Sequence, residues 1–94
     1  MPIKVELSDE VRLFLDNACL PEEREEFVVC ARLVADDPIE HSQAYLGRTS
    51  APHVLRFFRF GGCIALFAYE WTGDEKTERI RIVACRRTRP RTRE

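Results

Sequence analysis

The chain has no apolar stretch near the roughly 18 residues that a membrane-spanning helix needs. Its opening, MPIKVELSDE, is charged where a secretion signal would be apolar. No membrane partner is therefore expected, and the expected compartment is the cytoplasm. There is no C-x-x-C pair: Cys19, Cys30, Cys63 and Cys85 are far apart in sequence and none has a histidine close by. Zinc ligands usually arrive in tight pairs because two share one turn, so this spacing argues against a metal centre. It predicts four reduced, mostly buried thiols that behave as small hydrophobes. Nothing indicates the oxidising compartment that disulfides require. Histidine is scarce too, with only His41 and His53. No phosphate-cradling glycine loop and no Ser-His-Asp arrangement is visible, and no cofactor is expected.

What remains is a short, charged, globular sequence. Its 94 residues fit one domain, 1–94, closed by a basic tail over 86–94. A chain this short buries about two thirds of its unfolded surface, enough for one core with little stability to spare. The composition, 45% hydrophobic and 33% charged, is that of a folded chain rather than a disordered one. The net charge of −1 hides a strong polarity. Residues 1–47 hold four basic and eleven acidic side chains, and residues 48–94 hold eleven basic and five acidic. Either one end is specialised for anions, or the two halves pair across the fold.

The periodicity gives the order of elements. Ile3, Val5 and Leu7 alternate with Lys4 and Glu6, which predicts a short half-buried strand. Ser8 stands where a helix cap belongs, followed by Asp9 and Glu10 at the positive end of the dipole. Val11, Phe14, Leu15 and Ala18 then recur at helical spacing, predicting a helix from about Asp9 to Cys19. Pro21 opens a second helix with the stripe Phe27, Cys30, Ala31 and Val34, stopped by Asp36-Asp37-Pro38. Residues 38–52 are polar, with Gly47 and Pro52, and read as a loop. Two strand-like runs, 53–60 and 63–70, flank Gly61-Gly62, the signature of a hairpin. A second turn at Thr72-Gly73-Asp74 leads to a third run, 78–85, in which Ile80, Ile82 and Ala84 alternate with Arg79, Arg81 and Val83. The expected fold is α+β, ordered β-α-α-β-β-β, with a helical hairpin on a small antiparallel sheet.

Three groups of residues carry candidate chemistry. Arg56 and Arg59 are three apart, so a regular strand sends them to opposite faces. Five arginines fall within the eight residues 86–93, a density that calls for counter-charge; the planar guanidinium suits phosphate. That stretch has no aromatic residue for base stacking. His41 and His53 are the residues whose ordinary range suits a general base near neutral pH.

The segments Leu55-Arg-Phe-Phe-Arg-Phe60, Ile64-Ala-Leu-Phe67 and Val83-Ala-Cys-Arg-Arg-Thr88, in this order and spacing, resemble the RelE/ParE superfamily of bacterial toxins over nearly the whole chain. The resemblance implies a toxin paired with a cognate antitoxin. Some members of that family cut messenger RNA on the ribosome without metal: the ribose 2′-hydroxyl attacks the adjacent phosphate while basic residues stabilise the developing charge. Others inhibit DNA gyrase and cleave nothing, and a third expectation is a non-toxic relative with a degraded active site that acts as a binding protein. It places Arg56, Arg59 and Arg86 at basic family positions, Arg86 on the scissile phosphate. For cleavage His53 or His41 would have to serve as the proton-transfer group, with His53 named among the expected catalytic residues, and Arg81, Arg87, Arg89 and Arg91 are expected nucleic-acid contacts. The sequence departs from the family where Ile64 replaces an arginine, Phe67 a tyrosine, and Thr88 and Thr92 residues able to act as acid or base.

Overall fold

The computed structural model describes residues 3–45, 54–72 and 77–88. His53, Arg89 and Arg91, the rest of the tail and the turn at Gly73-Asp74 lie outside the described residues. The elements are β1 (Lys4–Leu7), α1 (Asp9–Asn17), α2 (Pro21–Asp36), β2 (Gln43–Ala44), β3 (Val54–Phe60), β4 (Cys63–Thr72) and β5 (Thr77–Arg87). They form an α+β fold with two helices on one face of a five-stranded sheet ordered β1-β5-β4-β3-β2.

Two features differ from the expected sheet. It is mixed, because β1 runs parallel to β5, pairing Val5 with Ile80 and Leu7 with Ile82. An alternating pattern reveals a strand but not its neighbour; here the helical hairpin carries the chain away and the last strand returns beside the first. The second difference is β2, in the stretch read as loop. Two residues are too few to show a period, yet Gln43 and Ala44 pair with Phe57 and Arg56. Helix α1 also stops at Asn17, two residues earlier than expected.

The helix starts follow their capping chemistry. Ser8 Oγ accepts from Val11 N–H at 3.2 Å and donates to the Val83 carbonyl at 3.2 Å, while Ser8 N–H donates to Ile82 O at 3.1 Å. The cap thus fastens α1 to β5. At α2, Pro21 occupies the first turn and Glu23 reaches back to accept from Leu20 N–H at 2.9 Å.

The core lies between hairpin and sheet. Val11 and Leu15 of α1 and Phe27 and Val34 of α2 meet Phe58, Phe60, Ala65, Phe67, Ile80 and Ile82. Phe27 packs edge-on against Phe60 with ring centroids 5.1 Å apart, and Phe58 and Phe67 extend the cluster at 6.1 Å. Each large side chain buried here contributes about 1.5–3 kcal/mol relative to exposure. Gly61, at φ 54, makes the β3–β4 turn. A Cβ on it would also lie 3.1 Å from Glu23 Cγ, so the glycine lets α2 approach the hairpin.

One irregularity in β5 sets the faces of the basic residues. Phe67 pairs with Ile82 but Leu66 pairs with Ala84, leaving Val83 as an extra residue. Simple alternation sends Ala84 inward after Ile80 and Ile82. The bulge instead leaves Ala84 and Arg86 on the open face and turns Cys85 and Arg87 toward the helices. Ser8 Oγ satisfies the carbonyl of the extra residue.

Candidate anion-binding face

The open face of the sheet gathers one row of residues across three strands. Arg59 on β3 pairs with Ile64 on β4, and Ile64 pairs with Arg86 on β5. At the usual strand spacing the two arginine backbones stand about 10 Å apart. Their side chains are long enough to converge above Ile64 or to hold two neighbouring charges. Both are exposed, and among the described residues neither guanidinium is paired with a carboxylate. Arg59 rests against the Phe57 ring, its guanidinium carbon 5.8 Å from the centroid.

Beside this row lies an apolar depression of about 50 Å³ lined by Tyr45, Ile64, Leu66, Ala84 and Arg86. Tyr45 follows β2 and is held there by its N–H, which donates to Leu55 O at 3.0 Å. Its part is not legible in the sequence, because it stands in a polar stretch whose two-residue strand has no period. On the other side, Arg59 borders a cleft of about 310 Å³ whose lining includes Glu40, His41, Gln43 and Phe57. The row thus has Arg86 in the depression that carries an aromatic hydroxyl and Arg59 in the cleft that carries an imidazole.

The other expected contacts go elsewhere. Arg56 projects to the opposite face from Arg59, as their spacing requires. Its Nε donates to Ser42 Oγ at 2.6 Å and its Nη2 to Ser42 O at 3.0 Å, while Ser42 Oγ donates to the Pro38 carbonyl. Arg56 thereby pins the segment that carries His41 and Tyr45. Arg81 shares Glu6 with Arg79, at 3.7 Å and 3.8 Å, at the β1 edge. Arg87 is turned inward, where its two terminal nitrogens donate to Glu23 Oε2 and Oε1 at 3.0 Å and Nη2 also donates to Ala18 O at 2.8 Å. The hydrogen bonds from Arg87 hold the Glu23 carboxyl down at about 2, below its ordinary 4.5. Thr88 donates its hydroxyl to Gly62 O at 3.1 Å, and Phe67 is fully buried.

The charge polarity of the sequence is thus resolved in two ways. Glu23 with Arg87, and Glu6 with Arg79 and Arg81, pair across the fold. Arg59 and Arg86 are left to face outward. Among the described residues no helix is long and apolar enough to cross a membrane. No protein-family model matches the chain, and neither a curated protein nor a solved structure matches it significantly.

Proposed function

We propose that the open face of the sheet grips the phosphate backbone of single-stranded messenger RNA, in the manner of the RelE/ParE toxins that the sequence resembles. The observation that carries this reading is the row Arg59, Ile64, Arg86, with both guanidinium groups exposed and without a carboxylate partner among the described residues. Arginine's fork matches phosphate oxygens, and the aromatic ring of Tyr45 with Leu66 and Ala84 offers a surface for a base. A cognate antitoxin would neutralise the protein by covering the same face.

If the bound strand is cut, the reaction needs no metal. A base removes the ribose 2′-hydroxyl proton, the 2′-oxygen attacks phosphorus, and the 5′-oxygen leaves with a proton from an acid. The products are a 2′,3′-cyclic phosphate and a 5′-hydroxyl. Arg59 and Arg86 stabilise the charge that builds on the phosphate. His41, across the cleft from Arg59, supplies the base. The test is to add the protein to a translating extract and map message ends. New ends with cyclic phosphate, lost in Arg86→Ala and reduced about 10²–10⁴-fold in His41→Gln, are expected. Intact message at excess protein overturns cleavage, and absence of RNA binding overturns the whole reading.

A second reading is a non-cleaving inhibitor of the gyrase-directed type. Thr88 and Phe67 favour it: the hydroxyl of Thr88 is engaged by Gly62, and Phe67 lies buried without a hydroxyl. Supercoiling by gyrase that is unchanged by micromolar protein would dispose of it.

A further inference from the structure

The spacing of the cysteines argued against a metal centre, but folding brings three distant donors together behind the sheet. Cys19 lies in the turn between α1 and α2, Glu23 in the first turn of α2, and Cys63 at the start of β4. Their two sulfurs and one carboxylate oxygen lie within 4.8 Å of one another. Both thiols are buried, at 8% and 1% exposure, so this is no chance meeting of surface groups. We propose that Cys19, Cys63 and Glu23 form a binding site for a thiophilic divalent cation of the zinc class.

Soft thiolate ligands with one carboxylate suit zinc, and donors within 4.8 Å of one another can be drawn around a single ion. The surroundings already orient the carboxylate: Arg87 grips both its oxygens, and Leu20 N–H and a backbone contact from Gly62 fix it further. Partners of this kind aim a ligand in metal sites. One of these contacts gives way when the ion enters. The charges also balance, since two thiolates and a carboxylate oppose a divalent ion and the Arg87 guanidinium. A water molecule would complete the fourth position. The site is separate from the open face, so the ion would brace the α1–α2 turn against β4 and β5 and take no part in RNA chemistry.

The probe is Co²⁺, added to the reduced full-length protein under argon. One equivalent should produce a sulfur-to-cobalt charge-transfer band with the intense visible bands of a tetrahedral site, and Zn²⁺ should bleach both. Cys19→Ser and Cys63→Ser should each weaken Co²⁺ binding at least tenfold, and Cys30→Ser should leave it unchanged. A serine buried at either position can itself unfold the protein, so the wild-type protein provides a second readout. In mild denaturant, where transient opening exposes both buried thiols, Zn²⁺ should protect Cys19 and Cys63, but not Cys30, from a thiol reagent, and a chelator should restore their reactivity. Absence of the charge-transfer band, or a band and protection that do not involve Cys19 and Cys63, overturns the proposal. A chelator that removes the ion yet leaves RNA binding intact would keep this site distinct from the open face.

Discussion

Arg86 and Arg87 are adjacent in sequence, but their guanidinium groups face opposite environments. Arg87 belongs to the interior, where it shares with Glu23 an ion pair whose side chains are 23% and 13% exposed. Replacing it with methionine should lower stability at neutral pH by about 2–3 kcal/mol, the scale for a hydrogen-bonded charge left without its partner. The pair also sets an acid limit. Because Glu23 is held at about 2 when folded against an ordinary 4.5, its contribution is complete above pH 4.5. It is then lost as the pH falls from there toward 2. Denaturant titrations of chelator-treated protein across that window should show a steeper loss for wild type than for Arg87→Met. Equal slopes would mean that the pair contributes nothing to acid stability. Arg86 has no such task, and Arg86→Ala should leave stability within about 0.5 kcal/mol of wild type.

At the scale of elements, the same division separates Arg56 from Arg59. Arg56 ties β3 to the segment ahead of β2, with three hydrogen bonds that join Arg56, Ser42 and Pro38. Arg56→Ala should therefore cost about 1–3 kcal/mol and loosen the positions of His41 and Tyr45. Arg59→Ala should weaken RNA binding with little change in melting temperature. If melting experiments reverse that order, the assignment of the two faces is wrong. Much of this level could be read from the sequence. Ser8, Pro21 and Gly61 marked their boundaries because capping, proline geometry and positive φ are local matters. The opposite facing of Arg56 and Arg59 also followed from strand period alone. Three things did not follow. Val83 reverses the parity of β5, and a bulge leaves no mark in an alternating pattern. Strand β2 is too short to have a pattern. Cys19, Glu23 and Cys63 meet only through tertiary contacts, so ligand spacing along the chain could not reveal them.

For the whole molecule, the outcome of folding is to convert a charge difference along the chain into a difference between faces. Acidic residues such as Glu22, Glu25 and Glu26 lie exposed on α2, while Arg59 and Arg86 occupy the opposite side of the sheet. RNA binding should therefore weaken steeply with salt. Each phosphate contact removed from single-stranded RNA should flatten the slope of log affinity against log salt by about 0.7. Arg59→Ala and Arg86→Ala should each show that decrement, and Arg87→Met should not. A decrement of equal size in Arg87→Met would place the contact on the wrong face.

The parallel pairing of β1 with β5 has a consequence for the order of events during synthesis. Lys4–Leu7 is made well before its partner Arg79–Ile82, with both helices and two strands of the hairpin between them. The helical hairpin is complete while its apolar stripe still has no sheet to cover. Arg86 and the carbonyl groups that receive Ser8 arrive only with the final strand. A nascent chain halted before Thr77 thus holds the parts of the core but neither the closing strand nor the full basic row. The basic row of the open face is therefore assembled only after β5 has been made and has paired with β1 and β4.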